Sequence, residues 1–262
     1  MSARAAVAGA AGRADGVGLA AVTAAADLRT RVDRKYLLTT EEFTRLAPGL
    51  YGHLRALEIG GRRAFAYASV YFDTPDLLTY RQHLQGRRRR YKIRTRAYLD
   101  SGDCLLEVKC AGGREETIKH RTAHPMAARD RLTAAGRAFV ATALAGTYGL
   151  PVPPGLRPVL TTAYRRTTFA DPDAGLRVTC DTDVTITAPG VPELRAAPDL
   201  VIVEVKAAAA GSPPERALRR HRLRPVTLSK YCVAIAALRG HGQGPRLPAN
   251  PWHRVTRRLA FT

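Results

Sequence analysis

Three short stretches of the 262-residue chain set cations and carboxylates at alternate positions among apolar residues. They are Lys92-Ile93-Arg94-Thr95-Arg96, Leu106-Glu107-Val108-Lys109 and Val203-Glu204-Val205-Lys206. Arginine clamps phosphate oxygens with a planar fork of donors, and lysine meets them as a point charge. A divalent cation takes oxygen ligands, usually one or two carboxylates plus the phosphates of a substrate. Many cations with a few carboxylates among them fit phosphoryl transfer, in which positioning and charge neutralisation do most of the work. Glu204 is the best ligand candidate, because it sits mid-strand beside Lys206. Glu107, Asp181 and Asp183 are second choices, and each also reads as a salt-bridge partner of a neighbouring base.

Side chains alternate faces along a strand, so these spacings describe elements. Tyr91 to Lys109 reads as two strands joined by a turn at Asp100-Ser101-Gly102-Asp103. Lys92, Arg94 and Arg96 share one face of the first strand; Leu105, Glu107 and Lys109 share one face of the second, backed by Leu106 and Val108. In 201–206, Val201, Val203 and Val205 back Ile202, Glu204 and Lys206. In 176–183, Leu176, Val178 and Cys180 back Arg177, Thr179, Asp181 and Asp183. If helices cover the apolar rows from outside, the charged rows line a polar interior, and a small closed barrel of that kind is a site for a polyanion.

Composition agrees. The net charge is +20, which points to an anionic partner. Only six basic residues are lysine: Lys35, Lys92, Lys109, Lys119, Lys206 and Lys230. In an arginine-rich chain, positions kept as lysine are ones that need a compact, movable ammonium, and all six fall in strand or short motifs. Cys104, Cys110, Cys180 and Cys232 match no zinc or CxxC spacing and read as buried free thiols, in keeping with a reducing, cytoplasmic setting. No apolar run approaches the length of a membrane span.

Along the chain, residues 1–26 read as a disordered or weakly helical leader, and 28–38 as a first strand. Thr40 reads as the cap of a helix disturbed at Pro48-Gly49. Strands are expected at 65–73, 115–121 and 159–169, and helices at about 124–148, 213–221 and 230–238. Residues 240–262 read as a C-terminal tail. Arg87 to Arg90 reads either as a solvated strand entrance or as a basic mouth that gathers anions. No GxxxxGK[ST] loop, HExxH or Ser/His/Asp set occurs, and the seven histidines are scattered.

The ordered motifs RVDRKY (31–36), SVYFD (69–73), KIRTR (92–96), LEVK (106–109), ETIKHR (116–121), AYRRTTF (163–169), LRVTCDTD (176–183), VEVK (203–206) and LSKY (228–231) resemble the VTC domain, the polyphosphate polymerase catalytic domain. Its relatives are the CYTH-like triphosphate tunnel metalloenzymes. The resemblance covers about residues 28–238. It implies an α+β fold: an antiparallel β-barrel tunnel of about eight strands with helices packed outside. It implies phosphate contacts from Lys35, Arg94, Arg96, Lys109, Lys119, Arg177, Lys206, Ser229 and Lys230. Of these, Lys35, Arg94, Arg96, Lys109 and Lys206 act in catalysis together with Glu204, the metal ligand for Mn2+ or Mg2+. The implied reaction moves the terminal phosphate of ATP to a polyphosphate chain. An inorganic triphosphatase and a non-catalytic triphosphate-binding module are the alternatives. Asp33 stands where bacterial relatives often carry Glu, and no SPX-like regulatory domain occurs in these residues. A nucleic-acid partner is not expected, because no stacking aromatics line up with the cations.

Overall fold

The structure is a computed structural model that describes residues 1–24, 32–113, 117–240 and 252–262. The start of the expected first strand (28–31), Glu116 of the ETIKHR motif and much of the tail lie outside them. The described chain runs α1 (Ala3–Arg13), β1 (Gly16–Val17), α2 (Leu19–Ala24), β2 (Val32–Thr39), α3 (Thr40–Tyr51), β3 (Arg55–Leu57), β4 (Phe65–Asp73), α4 (Leu78–Leu84), β5 (Tyr91–Tyr98), β6 (Asp103–Ala111) and β7 (Thr117–Ala123). It continues through α5 (Ala134–Tyr148), β8 (Arg157–Asp171), β9 (Leu176–Ala188), β10 (Val191–Arg195), β11 (Leu200–Ala207), α6 (Pro213–Arg220), α7 (Lys230–Gly240) and α8 (His253–Leu259).

The fold is α+β, built on one sheet in the order β2-β11-β9-β8-β4-β5-β6-β7. All neighbours on this path are antiparallel. The path has the eight strands expected, but β2 and β7 stand at its two ends, so no backbone ladder closes the ring among the described residues. The sheet nevertheless curls. Burial lowers the pKa of Lys109 on β6, and Lys35 of β2 is near enough to lower it further, although β11, β9, β8, β4 and β5 lie between their strands in sheet order. Like charges at that separation in a flat sheet would be screened from each other.

Alternation places the apolar rows as expected. Leu176, Val178, Cys180, Val201, Val203 and Val205 join Phe43, Leu46 and Leu50 of α3 in one outer core. Ile93, Leu106 and Val108 join Val140 and Leu144 of α5 in another. A third core holds the α7 residues Tyr231, Val233 and Ala234 with Leu37, Tyr71, Tyr164 and Ile202. Leu37 and Ile202 have the parity of Lys35 and Glu204, so α7 covers the inner face at one end of the curl.

Several boundaries differ from the sequence reading. Thr39, not Thr40, caps α3: its side chain accepts from the Glu42 amide, and Glu42 reaches back to the Thr39 amide at 2.8 Å. The helix runs through Pro48-Gly49 to Tyr51, and Arg55–Leu57 beyond it form the strand β3. The leader is an ordered helix at 3–13, with Ala3, Ala6, Val7, Ala10 and Ala11 buried in the outer core. Small side chains at that spacing let a helix approach closely, and alanine has the strongest helix preference. In the tail, Trp252 is buried and α8 packs on the third core, with Thr262 exchanging two backbone hydrogen bonds with Arg195. The four cysteines are free and buried. Among the described residues, no helix is long and apolar enough to cross a membrane.

Candidate functional site

β5, β6 and β7 form one wall of the concave interior, and β2, β11 and β9 the other. On the first wall, Lys92 faces Lys109 across β5 and β6, and Lys109 faces Lys119 across β6 and β7. Like charges directly opposite destabilise a sheet. Lys119 turns to Glu107, with Nζ at 2.5 Å. Lys92 and Lys109 have no ion pair among the described residues. Burial, then Lys35 and Lys92, push the Lys109 pKa down to about 7, with Glu204 opposing. Burial, then Lys35, Arg94 and Arg90, push Lys92 down to about 8 against an opposing Cys232. Lys109 stays open to solvent, so water reaches the interior beside it even though wall atoms surround it.

Two buried carboxylates knot the remaining cations. Glu107, 1% exposed, accepts from Arg94 Nε at 2.7 Å and lies 3.9 Å from Arg96 Nε. Burial pushes its pKa up, but Arg94, Arg96 and Lys119 outweigh it and hold the carboxyl well below the usual range. Asp181 takes the fork of Arg166 at 2.6 and 2.8 Å and also the ammonium of Lys230. Its burial is likewise outweighed, by Arg166 and Lys230. Tyrosine rings floor these cations: Tyr71 beneath Arg94 at 5.8 Å, Tyr67 beneath Arg166 at 5.4 Å, and Tyr164 beneath Lys230 at 4.4 Å.

Glu204 is held more loosely. Its carboxylate lies 3.5 Å from Lys35 Nζ and 3.2 Å from Lys206 Nζ, and it accepts no hydrogen bond from the described residues. Burial raises its pKa, yet Lys206, Lys35, Arg166 and Lys230 together hold it well below the usual range. Lys206 also pairs with Asp33, and Arg177 is the register partner of Lys206 on β9. Ser229 accepts from the Cys232 amide at 3.4 Å, capping α7, and so sets Lys230 at the inner end of that helix.

A family model described as the VTC domain matches residues 30–239. The chain belongs to the VTC domain family. A candidate adenylate cyclase from Bacillus halodurans is 16% identical and superposes with a TM-score of 0.51 over 77% of this chain and 95% of that one. A candidate adenylyl cyclase from Hippeastrum, described as having a dominant triphosphatase activity, is 13% identical, with a TM-score of 0.46 over 79% of this chain and 96% of that one. No curated protein matches the chain. The VTC domain thus shares the fold of the Bacillus halodurans protein.

In this VTC domain, parity puts Lys35, Arg94, Arg96, Lys109, Lys119, Arg177, Glu204 and Lys206 on the inner face, and Ser229 and Lys230 close it from α7. Asp183 does not join them. A bulge between β8 and β9 puts it at φ 52°, flips the alternation after it, and turns its carboxylate toward Arg4 of α1 at 3.7 Å. Lys92 and Arg166 are the additions. Both carried a signal, Lys92 as a sixth retained lysine sharing a face with Arg94, and Arg166 by parity with Tyr164. The tyrosine floors correct the expectation that no aromatics align with the cations. Tyr71 and Tyr164 are buried, so they support guanidinium and ammonium groups and offer no open ring to a base. Among the described residues, no three His, Cys, Asp or Glu side chains gather around a common point. Glu107 and Asp181 are saturated by cations. Glu204, the least committed of the three, fits the mode in which one carboxylate and substrate phosphates share a divalent cation.

Proposed function

We propose that this VTC domain is a polyphosphate polymerase that transfers the terminal phosphate of ATP to a polyphosphate chain with Mg2+ or Mn2+. The observation that carries the reading is the state of the interior carboxylates. Glu107, Asp181 and Glu204 are all held by cations below the usual range, so none is poised to take a proton from water. Hydrolysis needs a water made nucleophilic. A phosphate end is already an anionic nucleophile and needs no base, and bound phosphates keep Lys109 and Lys92 protonated, so neither acts as a base and the site favours a phosphate acceptor over water.

Lys92 and Lys109 supply uncommitted positive charge to the donor and acceptor phosphates, while Arg94 and Arg166 are locked in orientation by Glu107, Asp181 and the tyrosine floors. Arg96, 3.9 Å from Glu107, donates no hydrogen bond from Nε among the described residues, which leaves that Nε free for a phosphate. An acceptor phosphate oxygen attacks the terminal phosphorus, the bond to the bridging oxygen breaks, and ADP leaves. A divalent cation, when bound, neutralises charge shared between phosphate oxygens, and Glu204 is the residue that would hold it. The test is to incubate the protein with ATP and Mn2+ and resolve the products by chain length. Long polyphosphate is expected from the wild type. Glu204→Gln should lower the rate by about a hundredfold or more, with tripolyphosphate binding retained because a negative charge has left a field of lysines. Free phosphate as the sole product would make the protein a triphosphatase. Binding without turnover would make it a binding module.

A further inference from the structure

The arginine run between α4 and β5 extends the interior outward. Arg87, Arg88 and Arg89 are exposed, and none of the residues Arg87 to Arg90 has a carboxylate partner among the described residues. The turn is nonetheless built. Gly86, at φ +63°, starts it, and the Arg87 amide donates to the Gln82 carbonyl at 2.9 Å. Arg90 Nη1 donates to the Arg87 carbonyl at 2.9 Å. The Tyr148 hydroxyl of α5 donates to the Arg90 carbonyl at 2.9 Å and to the Ala111 carbonyl at 2.7 Å, tying the turn to the end of β6.

The turn is also electrically continuous with the lysine row. Arg90 depresses Lys92, and burial, Lys92, Arg90 and Lys109 together lower His83 of α4. Deeper in, carboxylates pair with the cations. From Lys109 through Lys92 to Arg87 no described carboxylate forms such a pair. A row of cations without carboxylate partners, leading from an enclosed site to the surface, fits a flexible polyanion of regularly spaced charge.

The geometry points to the Arg87–Arg90 turn as an outer docking subsite for inorganic polyphosphate, where the part of the chain beyond the reacting end lies. The inference rests on the reading of the interior as a polyphosphate site, and it fixes which side of the interior the chain crosses. Short anions, held by Lys35, Lys92, Lys109 and Lys206, would not reach the turn.

The experiment measures binding of tripolyphosphate and of long-chain polyphosphate to the wild type and to the combined variant Arg87→Ser, Arg88→Ser and Arg89→Ser, with thermal melting as the check on folding. The variant should bind long chains about tenfold more weakly, with a log–log salt slope shallower by about two, and should bind tripolyphosphate as before. The matching triple lysine variant should restore long-chain binding. The inference is overturned if the wild type holds long chains no tighter than tripolyphosphate, or if the serine variant loses both ligands equally or neither. Binding needs no turnover, so a protein that makes no polyphosphate from ATP would refute the polymerase reading while leaving this result to be read on its own.

Discussion

Lys109 and Glu204 show how single residues carry the site's charge balance. Glu204 stays ionised because cations outnumber it locally, and Lys109 is ready to lose its proton because burial, and then the neighbouring Lys35 and Lys92, disfavour its charge. In the folded chain Lys109 titrates at about 7 and Lys92 and Lys119 at about 8. In the unfolded chain each returns to the ordinary lysine value of about 10.4. Between those values the unfolded state binds more protons, so the lysines' contribution to stability rises with pH from about 7 to about 10. Above that, Tyr80, Tyr91 and Tyr148, each raised to about 12, reverse the trend, because only the unfolded chain then ionises. A bound triphosphate offsets the neighbouring cations' part of these shifts and favours the charged lysines. Its binding at pH 8 should therefore take up protons, measured by titration calorimetry in buffers of different ionisation enthalpy. Lys109→Gln should bind with smaller uptake; equal uptake by variant and wild type would show that Lys109 is already charged.

At the scale of elements, Asp73 joins the inner wall to the helices that close one end. At 0% exposure it accepts from the Thr74 amide at 2.8 Å, the Thr79 amide and hydroxyl at 2.9 and 2.8 Å, the Tyr80 amide at 3.0 Å, and the hydroxyl of Tyr231 on α7. Asp73→Ala leaves these donors buried without an acceptor and should cost about 3 kcal/mol or more, whereas Tyr231→Phe should cost about 1–2 kcal/mol. Urea unfolding of the two variants checks the order, and a larger loss from Tyr231→Phe would contradict it. The strands were legible in the sequence because period-two alternation of charge and Val, Ile or Leu is hard to produce by accident, as in 91–98 and 201–206. The bulge at Asp183 was not, because one inserted residue leaves the local pattern intact and reverses only the residues after it. α8 and β10 were hidden for a different reason: they are short, and their order comes from packing against α7 and β9, not from their own periodicity. The same limit applies to the site, where the inner-face cations could be listed by parity while the tyrosines beneath them are placed by cross-strand register alone.

For the whole molecule, the +20 charge is unevenly compensated. Glu107, Asp181 and Glu204, with folded pKa values below their unfolded ones, add stability that is fully present above about pH 4. That contribution is lost as pH falls through the folded values, so acid should unfold the protein by freeing Arg94, Arg166, Lys206 and Lys230 to repel one another. At neutral pH the interior's uncompensated charge lies along the row from Lys109 to Arg87, and an added anion relieves it. A ligand that binds only the folded state at a hundred times its Kd stabilises by about 2.7 kcal/mol, which for a chain of this size raises Tm by about 5–10 °C. Tripolyphosphate without metal should give such a shift at pH 7. The shift should shrink as pH rises past 7, where Lys109 and then Lys92 and Lys119 lose charge, and also with added salt, which screens the surface cations first. Differential scanning calorimetry across pH 6 to 9 reads it directly, and a Tm shift that stays constant over that range would mean the lysine row does not hold the anion.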